Sequence, residues 1–178
     1  MNKTKIAVFS VLIILAFTTL FLINKPDKAP ESEVYELLCS YKSREGFTII
    51  SFPNFLLKQI IEQADSSSIE TEKLSNHKLS MMIFHEEEKT KREITKDSIK
   101  FKLIDFLNNN NFKQFKSEKR NYGQKQLYSK SFEDRWRESV IIFSGDSSIF
   151  VFNLINKLDT GELAELANTL EKERTSFE

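Results

Sequence analysis

Two kinds of hydrophobic pattern divide this chain. The first is a single uncharged stretch: residues 6–23 read IAVFSVLIILAFTTLFLI, 18 positions without a charged side chain. A helix rising about 1.5 Å per residue carries them across roughly 27 Å, close to the hydrocarbon thickness of a bilayer, and satisfies its own backbone as lipid requires. No polar face interrupts the run, which sets it apart from a buried amphipathic helix. Lys3 and Lys5 precede it, and Asn24, Lys25 and Pro26 end it. The run is longer than the apolar region of a secretory signal, and the first small residue after it, Ala29, is followed by Pro30, which disfavours cleavage. The pattern predicts a membrane anchor within residues 1–23, with a cleaved signal peptide, and hence a secreted chain, as the alternative. With Lys3, Lys5 and the terminal amine kept inside, the remainder lies beyond the membrane; Lys25 and Lys28 pull the other way.

The second kind of pattern is periodic. Residues 24–33, NKPDKAPESE, hold two prolines and five charges and read as a short stiff tether. From residue 34 the spacing predicts alternating elements. Phe47–Phe52 is β-branched and aromatic, hence a strand. Pro53 suits a first helical position, and Leu56, Leu57, Ile60, Ile61 and Ala64 follow at helical spacing until Asp65-Ser66-Ser67-Ser68 breaks them. Leu79–His85 reads as a second strand and Glu86–Lys96 as a solvated charge run. Asp97 is placed to cap a helix carrying Ile99, Leu103, Ile104, Phe106 and Leu107, which the asparagines from Asn108 stop.

Strands at Phe112–Lys119, Gln124–Phe132, Arg135–Phe143 and Ile149–Ile155 follow, separated by turn residues at Asn121-Tyr122-Gly123 and Ser144–Ser148. Asp159-Thr160-Gly161-Glu162 is an acidic variant of the capping box, ahead of a stripe of Leu163, Leu166, Ala167 and Leu170. The order is β-α-β-α-β-β-β-β-α. It predicts an α+β domain over 34–178 with a mixed or mostly antiparallel sheet and helices on one face.

Charge and composition narrow the chemistry. The 178 residues balance 26 basic against 26 acidic side chains, which gives no global pull toward nucleic acid. Beyond residue 30 the count is 22 basic to 25 acidic, a net of −3. The four glycines, at 46, 123, 145 and 161, match neither the spacing of a phosphate loop nor that of a dinucleotide fingerprint. No cofactor is called for. The two histidines, His77 and His85, stand roughly 26 Å apart if the intervening chain is extended, too far to share one ion. No Gly-x-Ser-x-Gly elbow exists, and paired carboxylates are too common to point to one site. Cys39, the lone cysteine, stands 16 residues past Ile23, too far from the apolar run for a lipid-bearing cysteine; it reads as a small buried hydrophobe.

One segment is biased. Residues 112–137 carry Lys113, Lys116, Lys119, Arg120, Lys125, Lys130, Arg135 and Arg137 against three acids, with six aromatic residues interleaved. Such a mixture suits an anionic partner, and beyond a membrane that partner is a lipid headgroup or envelope polymer rather than nucleic acid. The competing reading is the solvated face of a hairpin whose aromatics enter the core. Arg135-Trp136-Arg137 is the most ligand-like tripeptide, since Trp and Arg dominate binding hot spots; Arg135, Trp136, Arg137, Lys113, Lys116, Lys119 and Arg120 form the candidate interaction surface. Residues 62–88 lean acidic, with seven acids against Lys73 and Lys78, so self-association through opposite patches is a further expectation.

Phe47–Ala64 resembles the strand-then-amphipathic-helix opening of the bacterial family catalogued as domain of unknown function 4252, and Ser139–Asp146, Ile149–Leu158 and Asp159–Leu170 resemble its closing strand–turn–strand–helix unit. The resemblance implies a small envelope protein with an α+β domain and supplies no catalytic residues. Taken together, the expectation is a single-pass protein held in the inner membrane, its domain on the periplasmic side, acting as a non-enzymatic binding or regulatory module toward an envelope protein or anionic polymer. A hydrolase or transferase with an unrecognised site, or a cytoplasm-facing regulator, are the alternatives.

Overall fold

The computed structural model describes residues 29–63, 69, 73, 79–86, 94–120, 123–132 and 135–174. The predicted anchor, the break at 65–68, Ala64, His77 and positions 121–122 of the predicted turn lie outside these residues. Among the described residues no helix is long and apolar enough to cross a membrane.

Segments rich in β-branched and aromatic residues or alternating in polarity form strands β1 (Phe47–Phe52), β2 (Leu79–His85), β3 (Lys113–Arg120), β4 (Gly123–Ser131), β5 (Arg137–Ser144) and β6 (Ser148–Asn156). Helical spacing produces α1 (Glu33–Cys39), α2 (Asn54–Gln63), α3 (Lys96–Asn109) and α4 (Thr160–Arg174). The strands form one sheet in the order β1-β2-β6-β5-β4-β3, every neighbouring pair antiparallel. The α+β class and the antiparallel sheet follow the sequence expectation. The helix over Glu33–Cys39 was not expected, and it takes up a residue read as tether.

The expectation that all helices lie on one face is wrong. Helices cover both faces. In β6, Phe150, Phe152 and Leu154 join the cluster that contains Leu57 and Ile61 of α2 and Leu163, Leu166, Ala167 and Leu170 of α4. Ile149 and Val151, on the opposite face, join Val34 and Leu38 of α1 and Ile99, Leu103 and Leu107 of α3. The physical reason is visible in the strands: β6 is buried at all nine positions, and β5 is buried at every position after Arg137. Strands with adjacent apolar residues pointing to both faces, Val140–Phe143 and Ile149–Phe152 here, demand cover on both sides, whereas a one-sided sheet alternates with polar residues.

Two helix starts show how local chemistry sets the boundaries. Thr95, not Asp97, caps α3: its hydroxyl accepts the Ser98 N–H at 3.2 Å, and Ser98 Oγ accepts the Thr95 N–H at 3.1 Å. Thr95 keeps an extended backbone, so its hydroxyl reaches back over the first turn, whereas Asp97 already lies inside the helix. Asp159 and Glu162 form the predicted reciprocal cap of α4, with Asp159 Oδ1 accepting the Gly161 and Glu162 N–H groups at 2.8 and 2.9 Å and Glu162 Oε2 accepting the Asp159 N–H at 2.8 Å.

One buried lysine ties α4 to the sheet. Lys125 on β4 is 1% exposed and its ammonium meets Asn168 Oδ1 at 2.7 Å, Glu171 Oε2 at 2.9 Å and Glu118 Oε2 at 3.0 Å. Three oxygen partners match its three N–H donors, which is what makes a buried ammonium tolerable.

Candidate functional site

The basic residues singled out in the sequence do not converge on one spot. Lys113 and Arg120 bound β3, an edge strand of the sheet, and seven residues at about 3.3 Å each separate them by roughly 23 Å. Lys113, Lys119 and Arg135 are exposed, while Arg137 is half-buried at the start of β5. Lys116 pairs with Glu118 at 2.7 Å, so part of its charge is neutralised locally. Trp136 is 4% exposed, and the Lys157 ammonium lies 4.6 Å from its ring centroid. The tripeptide thus places its ring within the fold and its two arginines on either side. Cys39 ends α1 half-buried, not fully buried as read from the sequence.

A different cluster, not anticipated from the sequence, gathers polar groups at the root of the domain. Glu138, Val140 and Ile142 alternate along β5 and face α1 and α3; register places Asn153 opposite Val140 and Ser80 opposite Asn153 on the same face. At this end of the sheet the face changes from apolar to polar, and the segment leading into α1 closes over it. Ser32 is the hub. Its Oγ caps α1 by accepting the Tyr35 N–H at 2.8 Å, accepts from Asn153 Nδ2 at 2.5 Å, and donates to Glu138 Oε1 at 2.5 Å. The same Glu138 oxygen accepts the Val34 N–H at 3.1 Å.

Glu138 is 0% exposed and Asn153 2%. Burial pushes the Glu138 carboxyl above its ordinary value. Hydrogen bonds from Ser32, the Val34 N–H and the Asn153 amide oppose that rise, and the nearby Glu33 charge adds to it. Lys130 stands opposite Glu138 in the strand register, but its ammonium turns to both Glu33 oxygens at 2.8 and 2.9 Å. Among the described residues no cation pairs with Glu138. Glu138 Oε2 and Asn153 Oδ1 are buried acceptors without a hydrogen-bond partner among the described residues.

Next to this cluster lies a pocket of about 320 Å³. Ala29, Pro30, Glu31, Tyr35 and Glu36 form one wall, Ser80, Asn153 and Ile155 of the sheet form the other, and Ser32 joins them. The sheet end of the pocket is fixed by the β2–β6 pairing, and its outer wall belongs to the stretch of chain immediately after residue 28. Among the described residues no group of three or more His, Cys, Asp or Glu side chains is placed to hold a metal ion.

The signal for this site was present but faint. Glu138 interrupts an otherwise apolar inward-facing series, and Ser32 precedes Val34, Leu37 and Leu38 at the spacing of a capped amphipathic turn. No protein-family model, curated protein or solved structure matches the chain.

Proposed function

We propose that this protein is a membrane-held, non-enzymatic binding module of the bacterial cell envelope whose ligand pocket sits at the root of its domain. The observation that carries the reading is the make-up of the pocket: one of its walls comes from Ala29–Glu36, the second half of the tether and the first turn of α1, a few residues after the 18-residue uncharged stretch. A ligand in such a pocket contacts the sheet and the membrane-proximal segment together, so occupancy fixes the domain's orientation relative to its anchor. A tether of a few residues also keeps the domain's effective concentration high toward partners at the same membrane. The pocket is concave, with polar groups of the sheet and of the segment before α1 converging on it, as a recognition site requires. The family resemblance of Phe47–Ala64 and Ser139–Leu170 points to the same compartment. The exposed Lys113 and Lys119 on β3 remain proposed contacts for anionic lipid or polymer.

The reading is tested by topology. Alkaline phosphatase fused to the C-terminus is expected to be active, and a fluorescent protein that matures only in the cytosol is expected to stay dark. Both fusions should sediment with membranes and be released by detergent but not by high salt. Cys39→Ala should sediment unchanged. A bright cytosolic reporter, or release of the chain by salt, overturns the proposal.

A further inference from the structure

We propose that the outer edge of β1 pairs antiparallel with the same edge of a second copy of this chain, joining two six-stranded sheets into one. The inference deepens the reading of a membrane-held module, because the anchor brings two copies side by side. The first argument is the contrast between the two edges of the sheet, β1 and β3. An open edge invites a further strand unless charge, proline or a bulge protects it. β3 is protected: five of its eight residues are charged, and its register shifts between Gln114 and Lys116. β1 reads FTIISF, without a charge or a proline, and pairs with β2 in unbroken register. Ile50 on this strand is 36% exposed, and Phe55, three residues past its end, is 60% exposed.

The second argument is the backbone itself. In an antiparallel ladder, successive residues turn their N–H and C=O groups alternately to one side and the other. The His85 N–H donates to the Gly46 carbonyl at 3.2 Å, so Gly46, Thr48, Ile50 and Phe52 face β2. Phe47, Ile49 and Ser51 therefore face outward. The Phe47 N–H is taken, donating to the Arg44 carbonyl at 3.3 Å. The next outward position after Ser51 is Pro53, which has no N–H and whose carbonyl accepts the Leu56 N–H at 3.0 Å. The open stretch thus centres on Ile49 and Ser51, each with one outward donor and one outward acceptor that no described residue meets. This set is its own complement. A two-fold axis perpendicular to the sheet sets Ile49 opposite Ser51 of the second copy, and Ser51 opposite its Ile49, so that both pairs exchange N–H and C=O. On the axis Ile50 lies directly against Ile50 of the second copy, and the exposed side chain is covered by its own kind. The Phe47 carbonyl stays at the rim, within reach of water. The same axis suits a shared membrane. It turns the same sheet face of both copies to one side, and residues 29–32 run over the α1–α3 face, so both chains enter from that side. Two short edges make a contact small beside the roughly 1,200–2,000 Å² of a stable free interface, and a common membrane supplies the effective concentration it needs.

The test is oxidative crosslinking of the full chain, carrying Cys39→Ala and reconstituted in phosphatidylcholine liposomes. Ile50→Cys or Thr48→Cys is added, and copper phenanthroline is the oxidant. Side chains directly opposite have β-carbons about 4.5–5.5 Å apart, close to disulfide reach, whereas Thr48 lies four positions from Thr48 of the second copy, roughly 13 Å along the strand. Both positions are exposed, yet Ile50→Cys is expected to give at least about fivefold more disulfide dimer than Thr48→Cys. Ser51→Pro removes an outward N–H that the β1–β2 ladder does not use, and should cut the Ile50→Cys dimer about fivefold or more while circular dichroism stays that of the parent. Chains with Thr48→Cys mixed with chains with Phe52→Cys, which stand opposite in this register, should crosslink to each other more than either does to itself; this arm decides the register if Ser51→Pro alters the fold. Equal dimer at positions 48 and 50, or an Ile50→Cys dimer that survives Ser51→Pro in a folded chain, overturns the pairing. A chain that stays with the liposomes and gives no dimer overturns the pairing and leaves the anchor. A chain that salt releases but that still crosslinks through position 50 overturns the anchor and leaves the pairing.

Discussion

A Gly123→Ala chain is expected to melt about 10 °C below the parent. Gly123 opens β4 with φ +137°, a backbone conformation that side-chain-bearing residues rarely adopt. Space is the larger objection. A Cβ at this position would lie 1.8 Å from the Ser144 carbonyl oxygen and 2.8 Å from its carbonyl carbon. Both are backbone atoms of β5, whose pairing begins one residue later at Gln124–Ser144. Relief therefore requires β4 to draw back from β5 at the point where their ladder begins. Backbone strain of about 1–3 kcal/mol and an overpacking cost of similar size combine to roughly 3–5 kcal/mol, and about 2–4 °C per kcal/mol applies to a chain of this length. Gly161→Ala is the internal comparison. It lies in the first turn of α4, where an added Cβ meets only Asp159 Oδ1 at 3.2 Å, and alanine is a better helix former. Its melting temperature should stay within about 3 °C of the parent. Equal effects at the two glycines, measured by circular dichroism, would contradict the β4–β5 geometry.

Glu138→Gln should do the opposite and stabilise the protein above pH 7. The folded carboxyl is held above its ordinary value, so the folded state binds a proton that the unfolded state has released. Stability is then greatest below the unfolded value near 4.5 and falls as pH rises from there through the folded value. The neighbouring charges do not cancel this: Glu33 on α1 reinforces it, and Lys130 on β4 is committed to Glu33. Glutamine keeps an oxygen for the Ser32 hydroxyl and the Val34 N–H. Removing an unpaired buried charge is worth about 1–3 kcal/mol, or several degrees in melting temperature. The gain should be large at pH 8 and small at pH 4.5. A variant that melts lower than the parent at pH 8, or that keeps the parent's pH slope, would show that Glu138 is not the group responsible.

The strands were legible because their residues say one thing at every level. β1 and β2 begin and end where β-branched and aromatic residues do, at Phe47–Phe52 and Leu79–His85. The acidic cap of α4 was readable because it is entirely local, four residues from Asp159 to Glu162. What the pattern hid was tertiary. The prolines and charges of 24–33 outweighed the short apolar series Val34, Leu37, Leu38, so α1 was missed; its stability comes from burial of Val34 and Leu38 against the sheet rather than from helix propensity over seven residues. The second covered face follows from burial along the whole of β6 and nearly all of β5, which the adjacent apolar residues Val140–Phe143 and Ile149–Phe152 foreshadow. The root site escaped because its members lie about a hundred residues apart: Ser32 and Glu138 meet across 106 positions, Ser32 and Asn153 across 121. Only the placement of α1 against β5 and β6 brings them together.

Cys39 offers the most direct measurement of the central proposal, that the domain stands outside the cytoplasm on a retained anchor. It is the chain's only thiol and is half-buried at the end of α1, on the root of the domain. Spheroplasts exposed to a membrane-impermeant maleimide should modify Cys39 to the same extent as spheroplasts opened with detergent, and the modified chain should sediment with membranes at its full mass. Modification that appears only after detergent, or a modified chain recovered without residues 6–23, would contradict the account.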